Sequence, residues 1–328
     1  MPLKINQELL FLCSENAREK LRDTAKQLKK SNQRLKYNLR IMEKEGLLSL
    51  PYTIFDYSYL GLLLFRVYYK GAYISEKDKK DILEKLSENP YIIAMYELGG
   101  IFDFVIEFAT PNPSRFHKEL KNIASLIPTL NNYEITLNVV THLYPRRYLS
   151  KNKIPNAPDE IIIGGDRTPQ ALMPQEMLVM KQLLLQPKIR YSALAKQTNL
   201  NIKTAKKIIK DLEKKKIIKG YKYLPDMSKI GVYQYRLFLM LHNLSNERDK
   251  ALREYLSQAK EIVQIHKTVG DWDLEVDIEA QDQKKIRQFI ISLRENFKDI
   301  IEGFNNIEVY HYYKKAYLPT FLFSEDKT

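Results

Sequence analysis

The period at which apolar and polar residues alternate changes along this 328-residue chain, and each change marks an element. Between residues 201 and 216, Ile202, Ala205, Ile208, Ile209 and Leu212 recur at helical spacing and form one apolar stripe. Lys203, Lys206, Lys207, Lys210 and Lys214 fall on the opposite face. Asn201 stands where an N-cap belongs. Shorter helical patterns at 176–185 and 192–197 come before, the turn "TNLN" joins the last two, and a strand-like "IIKGYKY" follows. Three helices and a strand in this order predict a winged helix-turn-helix, whose third helix is the one that enters a DNA major groove.

The period then switches to two. Strand patterns at 233–242, 262–268, 272–280 and 306–313 are interrupted by helical ones at 247–259 and 283–296, which is the ferredoxin-like succession of strand, helix, strand, strand, helix, strand. The same programme occurs earlier at an offset of 170. "MEKEGLL" (42–48) aligns with "LEKKKII" (212–218), and "GIFDF" from Gly100 aligns with "GDWDL" from Gly270. In that first copy the third helix covers 32–45 behind the cap candidate Ser31, with Leu35, Leu39 and Met42 turned inward. Its strands are expected at 62–69, 91–98, 102–109 and 133–142, and its later helices at 76–87 and 114–126.

The expected architecture is therefore α+β: winged helix-turn-helix domains at 1–58 and 174–228, each followed by a ferredoxin-like βαββαβ domain at 59–150 and 229–320. A linker at 151–173 carries one short strand in "EIII", and residues 321–328 form a tail. Gly164 and Gly165 read as a turn, because no Lys-Ser/Thr of a phosphate loop follows them. Such a chain folds as a pseudo-symmetric dimer of its own halves, with two sheets packed face to face.

Charge changes this picture only once it is located. The net +13 is concentrated at 17–44, which carries +7, and at 186–219, which carries +9, so everything else is slightly acidic. Like charges at helical spacing repel one another, and a coat meant only for solubility would interleave glutamates. The lysine face therefore points to duplex DNA as a partner. Lys203, Thr204, Lys206, Lys207 and Lys210 suit backbone phosphates. The mixed face of Gln33, Arg34, Lys36, Tyr37 and Arg40 suits base edges, which Gln and Arg contact in bidentate fashion.

The longest apolar run, "YLGLLLF", is far too short to span a bilayer, and no secretory signal opens the chain. The single cysteine, Cys13, excludes an internal disulfide and fits a reducing cytoplasm. The five histidines show no metal-ligand spacing, and no cofactor is expected.

"SENAR" (14–18), "LEKKKIIKGY" (212–221) and "VGDWDLEVDI" (269–278) resemble the Lrp/AsnC family of bacterial and archaeal transcription regulators, and the resemblance covers nearly the whole chain, twice over. It implies a cytoplasmic, nucleoid-associated DNA-binding regulator in tandem-duplicated form, not an enzyme. It further implies a small effector, such as an amino acid, near Gly100, Asp103, Gly270, Asp271 and Asp273, and self-association through the ligand-binding domains. Ile101 departs from the acid found at Asp271, and Asp103 and Asp273 have a plainer role as turn caps. The alternative is an enzyme, because some siroheme decarboxylases resemble this same family. That chemistry needs basic or imidazole groups, and His142 with Arg146 and Arg147 is the one suggestive cluster.

Overall fold

The computed structural model describes residues 5–150 and 160–324. The first half runs α1 (Gln7–Glu15), α2 (Leu21–Leu28), α3 (Asn32–Lys44), β1 (Leu48–Phe55), β2 (Leu63–Tyr69), α4 (Glu76–Ser87), β3 (Ile92–Gly99), β4 (Phe104–Thr110), α5 (Pro113–Leu126) and β5 (Tyr133–Leu143). A short strand, β6 (Ile161–Gly164), lies between the halves. The second half runs α6 (Pro174–Leu185), α7 (Tyr191–Gln197), α8 (Ile202–Lys214), β7 (Ile218–Pro225), β8 (Tyr233–Leu241), α9 (Asn246–Gln258), β9 (Ile262–Val269), β10 (Leu274–Ala280), α10 (Gln283–Asn296) and β11 (Ile301–Lys315).

The third helix of each head starts on a capping side chain, Ser31 accepting from the Arg34 amide at 3.3 Å and Asn201 from the Thr204 amide at 2.7 Å. Leu35 and Met42, and Ala205, Ile208, Ile209 and Leu212, are buried. Ile202 was expected in that stripe but remains 46% exposed, because it occupies the first helical position and the stripe begins at Ala205.

The strand after each third helix does not close a wing within its own head. β1 and β7 pair with each other, antiparallel, with Thr53 opposite Tyr221. Each head supplies one strand here, and a lone strand leaves its N–H and C=O groups unsatisfied, so the two heads satisfy one another. They also share one apolar core that includes Leu35, Phe55, Leu183 and Leu212, and Thr53 donates across it to the Leu183 carbonyl at 2.7 Å.

The remaining strands of each half lie in the orders β5-β2-β4-β3 and β11-β8-β10-β9. These two sheets do not pack face to face as expected. β3 pairs with β11 and β5 with β9, so the halves join edge to edge into a ring of eight strands, with β6 appended to β5. Closure removes the open edges that two separate sheets would expose. Strand alternation then sorts the side chains. Phe65, Val67 and Tyr69 of β2 pack beneath α4 and α5, leaving Leu64, Arg66 and Tyr68 on the lumen side. The expected strand in the connecting segment forms as β6, and it ends in glycines with φ of +86° and +84°. A Cβ on Gly164 would lie 2.8 Å from the Val139 carbonyl oxygen, so that turn requires glycine. Among the described residues no helix is long and apolar enough to cross a membrane.

Candidate functional site

Where the halves meet, the barrel lumen holds a network of buried ions. Arg66 reaches Glu107 at 2.9 Å and Glu275 at 2.7 Å. Arg236 grips Asp277 through two hydrogen bonds, 2.7 and 2.9 Å, and donates to the Tyr68 and Tyr96 hydroxyls. The arrangement follows the repeat: Arg66 and Arg236, Glu107 and Asp277, and Tyr96 and His266 are pairs 170 positions apart. Each arginine takes an acid from the neighbouring strand of its own half and a cap from the other half, Tyr96 for Arg236 and His266 for Arg66.

The His266 Nδ1 atom lies 3.0 Å from Arg66 Nη2 and 2.8 Å from the Thr141 hydroxyl. A guanidinium only donates, so Nδ1 accepts and the ring proton sits on Nε2. That atom is buried 3.7 Å from an Asp277 oxygen, too far for a hydrogen bond. Burial, then the Arg66 charge, pushes His266 down to about 4, so the ring is neutral at pH 7. Burial alone would raise Glu107 and Asp277. Lys315 and Arg66 outweigh it at Glu107, the charge and paired hydrogen bonds of Arg236 outweigh it at Asp277, and both carboxyls lie well below their usual range.

Arg66, Arg236 and Lys315 thus face Glu107, Glu275 and Asp277, and the interior is electrically compensated. Three cavities beside it, toward the β1–β7 pair, measure only about 20 to 30 Å³, far below the roughly 300–1,000 Å³ of typical ligand sites. Sequence reasoning missed this network. Its signal was present in "LLFRVYY", "FVIEFAT" and "LEVDIEA", where a charge interrupts an otherwise buried strand at lumen positions.

The heads present the opposite situation. Gln33, Arg34, Lys36, Tyr37 and Arg40 on α3, and Lys203, Lys206, Lys207 and Lys210 on α8, are exposed, while Thr204 is half-buried in the first turn. Among the described residues none of these cations pairs with a carboxylate, although Lys206 sits 5.2 Å above the Tyr191 ring.

The expected effector residues serve the backbone. Asp103 accepts from the Gly71 and Ala72 amides, and Asp273 accepts from the Leu241 amide at 2.7 Å, so each acid ties down the end of the first strand of its sheet. Gly100 and Gly270 supply the positive φ of the hairpins, +118° and +154°, and Asp271 is exposed. His142, Arg146 and Arg147 do not form a cluster: His142 turns to Glu160 at 2.8 Å, Arg146 to Glu279 at 2.9 and 3.1 Å, and Arg147 to the Ser257 and Ala259 carbonyls. Burial pushes the Cys13 thiol up to about 12, so it is no nucleophile.

A cleft of about 770 Å³ opens between α1, β6 and the junction of α8 with β7. Tyr59 and Tyr221 provide aromatic faces, Arg167, Lys216 and Lys219 provide cations, and Glu15, Glu19, Glu160 and Glu213 provide acids. Glu15 and Lys219 are already engaged, Glu15 with Lys222 and Lys219 with Asp56 at 3.3 Å. Burial, then the neighbouring Asp23, raises the Glu19 carboxyl.

Solved structures of siroheme decarboxylase NirDL share this fold over nearly its full length. One covers 97% of this chain and 94% of its own at 12% identity and a TM-score of 0.56. The other, solved in complex with an iron-uroporphyrin III analogue, covers 95% and 93% at 12% identity and a TM-score of 0.55. E. coli AsnC matches over 43% of this chain and 94% of its own, at 14% identity and a TM-score of 0.37. No family model matches the sequence, and no curated protein matches it. The expectation that the chain is not an enzyme is overturned by the first pair, two solved structures of an enzyme that match it over nearly its full length. Sequence reasoning weighed that alternative on the five histidines and on His142 with Arg146 and Arg147.

Proposed function

We propose that this chain is an enzyme of the siroheme-decarboxylase type, removing carboxyl groups from a polycarboxylated tetrapyrrole. The observation that carries this reading is the likeness to NirDL over at least 93% of both chains. The cavities beside the barrel lumen are far too small for a macrocycle, so the substrate is assigned to the 770 Å³ cleft, which falls within the range of roughly 300–1,000 Å³ typical of ligand sites. There Tyr59 and Tyr221 flank the ring, and Arg167 and Lys216 receive its carboxylates. The step is redox neutral: the bond between carbon and carboxylate breaks, CO₂ leaves, and the electron pair left on carbon takes up one proton. Glu19, its carboxyl raised by burial, is the residue placed to deliver that proton. Titrating the purified protein with siroheme under anaerobic conditions should shift the tetrapyrrole absorbance, and incubation should give products lighter by one CO₂ per carboxyl removed. Absence of both changes rejects the reading.

A second reading, contact with duplex DNA through α3 and α8, is supported by their exposed and unpaired cations. On that reading the outer face of α8 meets phosphates and the mixed face of α3 meets base edges. Fluorescence anisotropy with duplex DNA tests it: affinity should fall with salt at a slope of about −0.9 per phosphate neutralised, and a flat response removes it.

A further inference from the structure

Glu275 breaks the symmetry of the lumen. Arg66 and Arg236 each have an acid from the adjacent strand of their own half, Glu107 and Asp277, so Glu275 is an additional acid shared by both. It is fully buried, and every partner of its carboxylate is a donor. One oxygen accepts from Arg66 Nη1 at 2.7 Å and the Tyr68 hydroxyl at 2.7 Å, with Arg236 Nη1 at 3.5 Å; the other accepts from the Thr136 hydroxyl at 3.1 Å. The donors come from β2, β5 and β8, hence from both halves of the chain. The residue 170 positions earlier, Val105, is apolar and packs with Phe102 and Ile307. Without Glu275 the lumen would hold three cations against two carboxylates, and two guanidiniums would converge on one empty spot, which is the geometry that recognises a free carboxylate.

We propose that Arg66, Arg236, Tyr68 and Thr136 form a binding site for a small carboxylate between the two halves, and that the chain fills this site with its own Glu275. The second half thereby carries, covalently attached, the anion that a free monocarboxylate would otherwise supply. The proposal is independent of the cleft and of the tetrapyrrole reading, and its test needs no activity measurement.

The test is rescue of the full-length Glu275→Ala variant by formate or acetate. Removing one partner of a buried ion pair leaves an uncompensated charge, so Tm should fall on the order of 10 °C. Refolding and melting in formate should restore most of that loss along a saturating curve, as ligand binding to the native state requires, while equal chloride should not. Adding Arg66→Gln to Glu275→Ala should abolish the recovery. An unchanged Tm, equal recovery by chloride, or recovery that survives Arg66→Gln would overturn the proposal. Should Glu275→Ala fail to fold even in formate, the isosteric Glu275→Gln decides: its Tm loss should be clearly smaller in an Arg66→Gln background than in the native one, and equal losses overturn the site.

Discussion

Two regions of this molecule carry nearly all of its interesting charge, and they handle it in opposite ways. In the lumen every cation has met a carboxylate, and those ions are among the most deeply buried in the chain. On α3 and α8 the cations stand in solvent without acidic partners. The same residue types thus do different jobs. Inside, loss of either partner strands a charge in a medium that solvates it poorly; outside, water solvates each lysine and the cost of keeping it is small. Charge content alone does not separate the two regions, whereas burial does.

The sharpest way to break the comparison is to delete one buried cation. Arg236→Ala leaves Asp277 without its bidentate partner and should lower unfolding free energy by about 3–5 kcal/mol, read from urea denaturation. A cost below about 1 kcal/mol would mean that the lumen ions are solvated after all.

Acid comes next. His266 has a folded pKa of about 4 against an unfolded value near 6.5, so the unfolded chain binds the proton first as pH falls. Its contribution to stability is complete above about pH 6.5, declines between 6.5 and 4, and amounts to about 3 kcal/mol. Glu107, Glu275 and Asp277 are depressed carboxyls, so their contributions begin to fade only once pH drops into the ordinary carboxylate range. Denaturation curves at stepped pH should therefore show two declines, and His266→Gln should flatten the upper one alone.

The seam between halves gives a smaller effect. Gly270 has φ of +154°, and a Cβ there would lie 2.8 Å from the Ile135 carbonyl oxygen in the other half. Gly270→Ala should cost about 1–3 kcal/mol of stability. Gly71, at φ +62° with nothing within 4 Å of its missing Cβ, should cost about 1 kcal/mol or less when changed to Ala.

Least of all in stability is Lys206→Ala on α8, expected to lie within about 0.5 kcal/mol of the parent in thermal melts. If the heads meet DNA, that variant should weaken binding similarly across sequences and lower the salt slope by about one. An unchanged slope would leave the lysine face as a solvated surface.

The legible parts of the sequence were those governed by neighbours a few residues apart. The apolar stripe of α8, the Ser31 and Asn201 caps and the strand in "EIII" were readable because hydrogen bonds and side-chain periodicity within one element decide them. The candidate site was much less readable. Arg66, Glu275 and His266 each look like an isolated charge or imidazole in a strand, and 200 or more residues separate Arg66 from both of its partners in the second half. The acids of the hairpins were readable as polar residues, yet only the fold turned Asp103 and Asp273 toward backbone amides at the ends of β2 and β8.

By itself, then, the sequence determined the order of elements, the duplication and the solvent-facing cations, since those follow from local spacing and from counting. The tertiary structure decided which strand edge meets which, so that β1 found β7 and the two sheets closed into one ring. Exposed backbone edges are chemically alike in every strand, so sequence scarcely distinguishes their partners. Only closure brings the arginines of one half within hydrogen-bonding distance of the acid, imidazole and hydroxyl groups of the other.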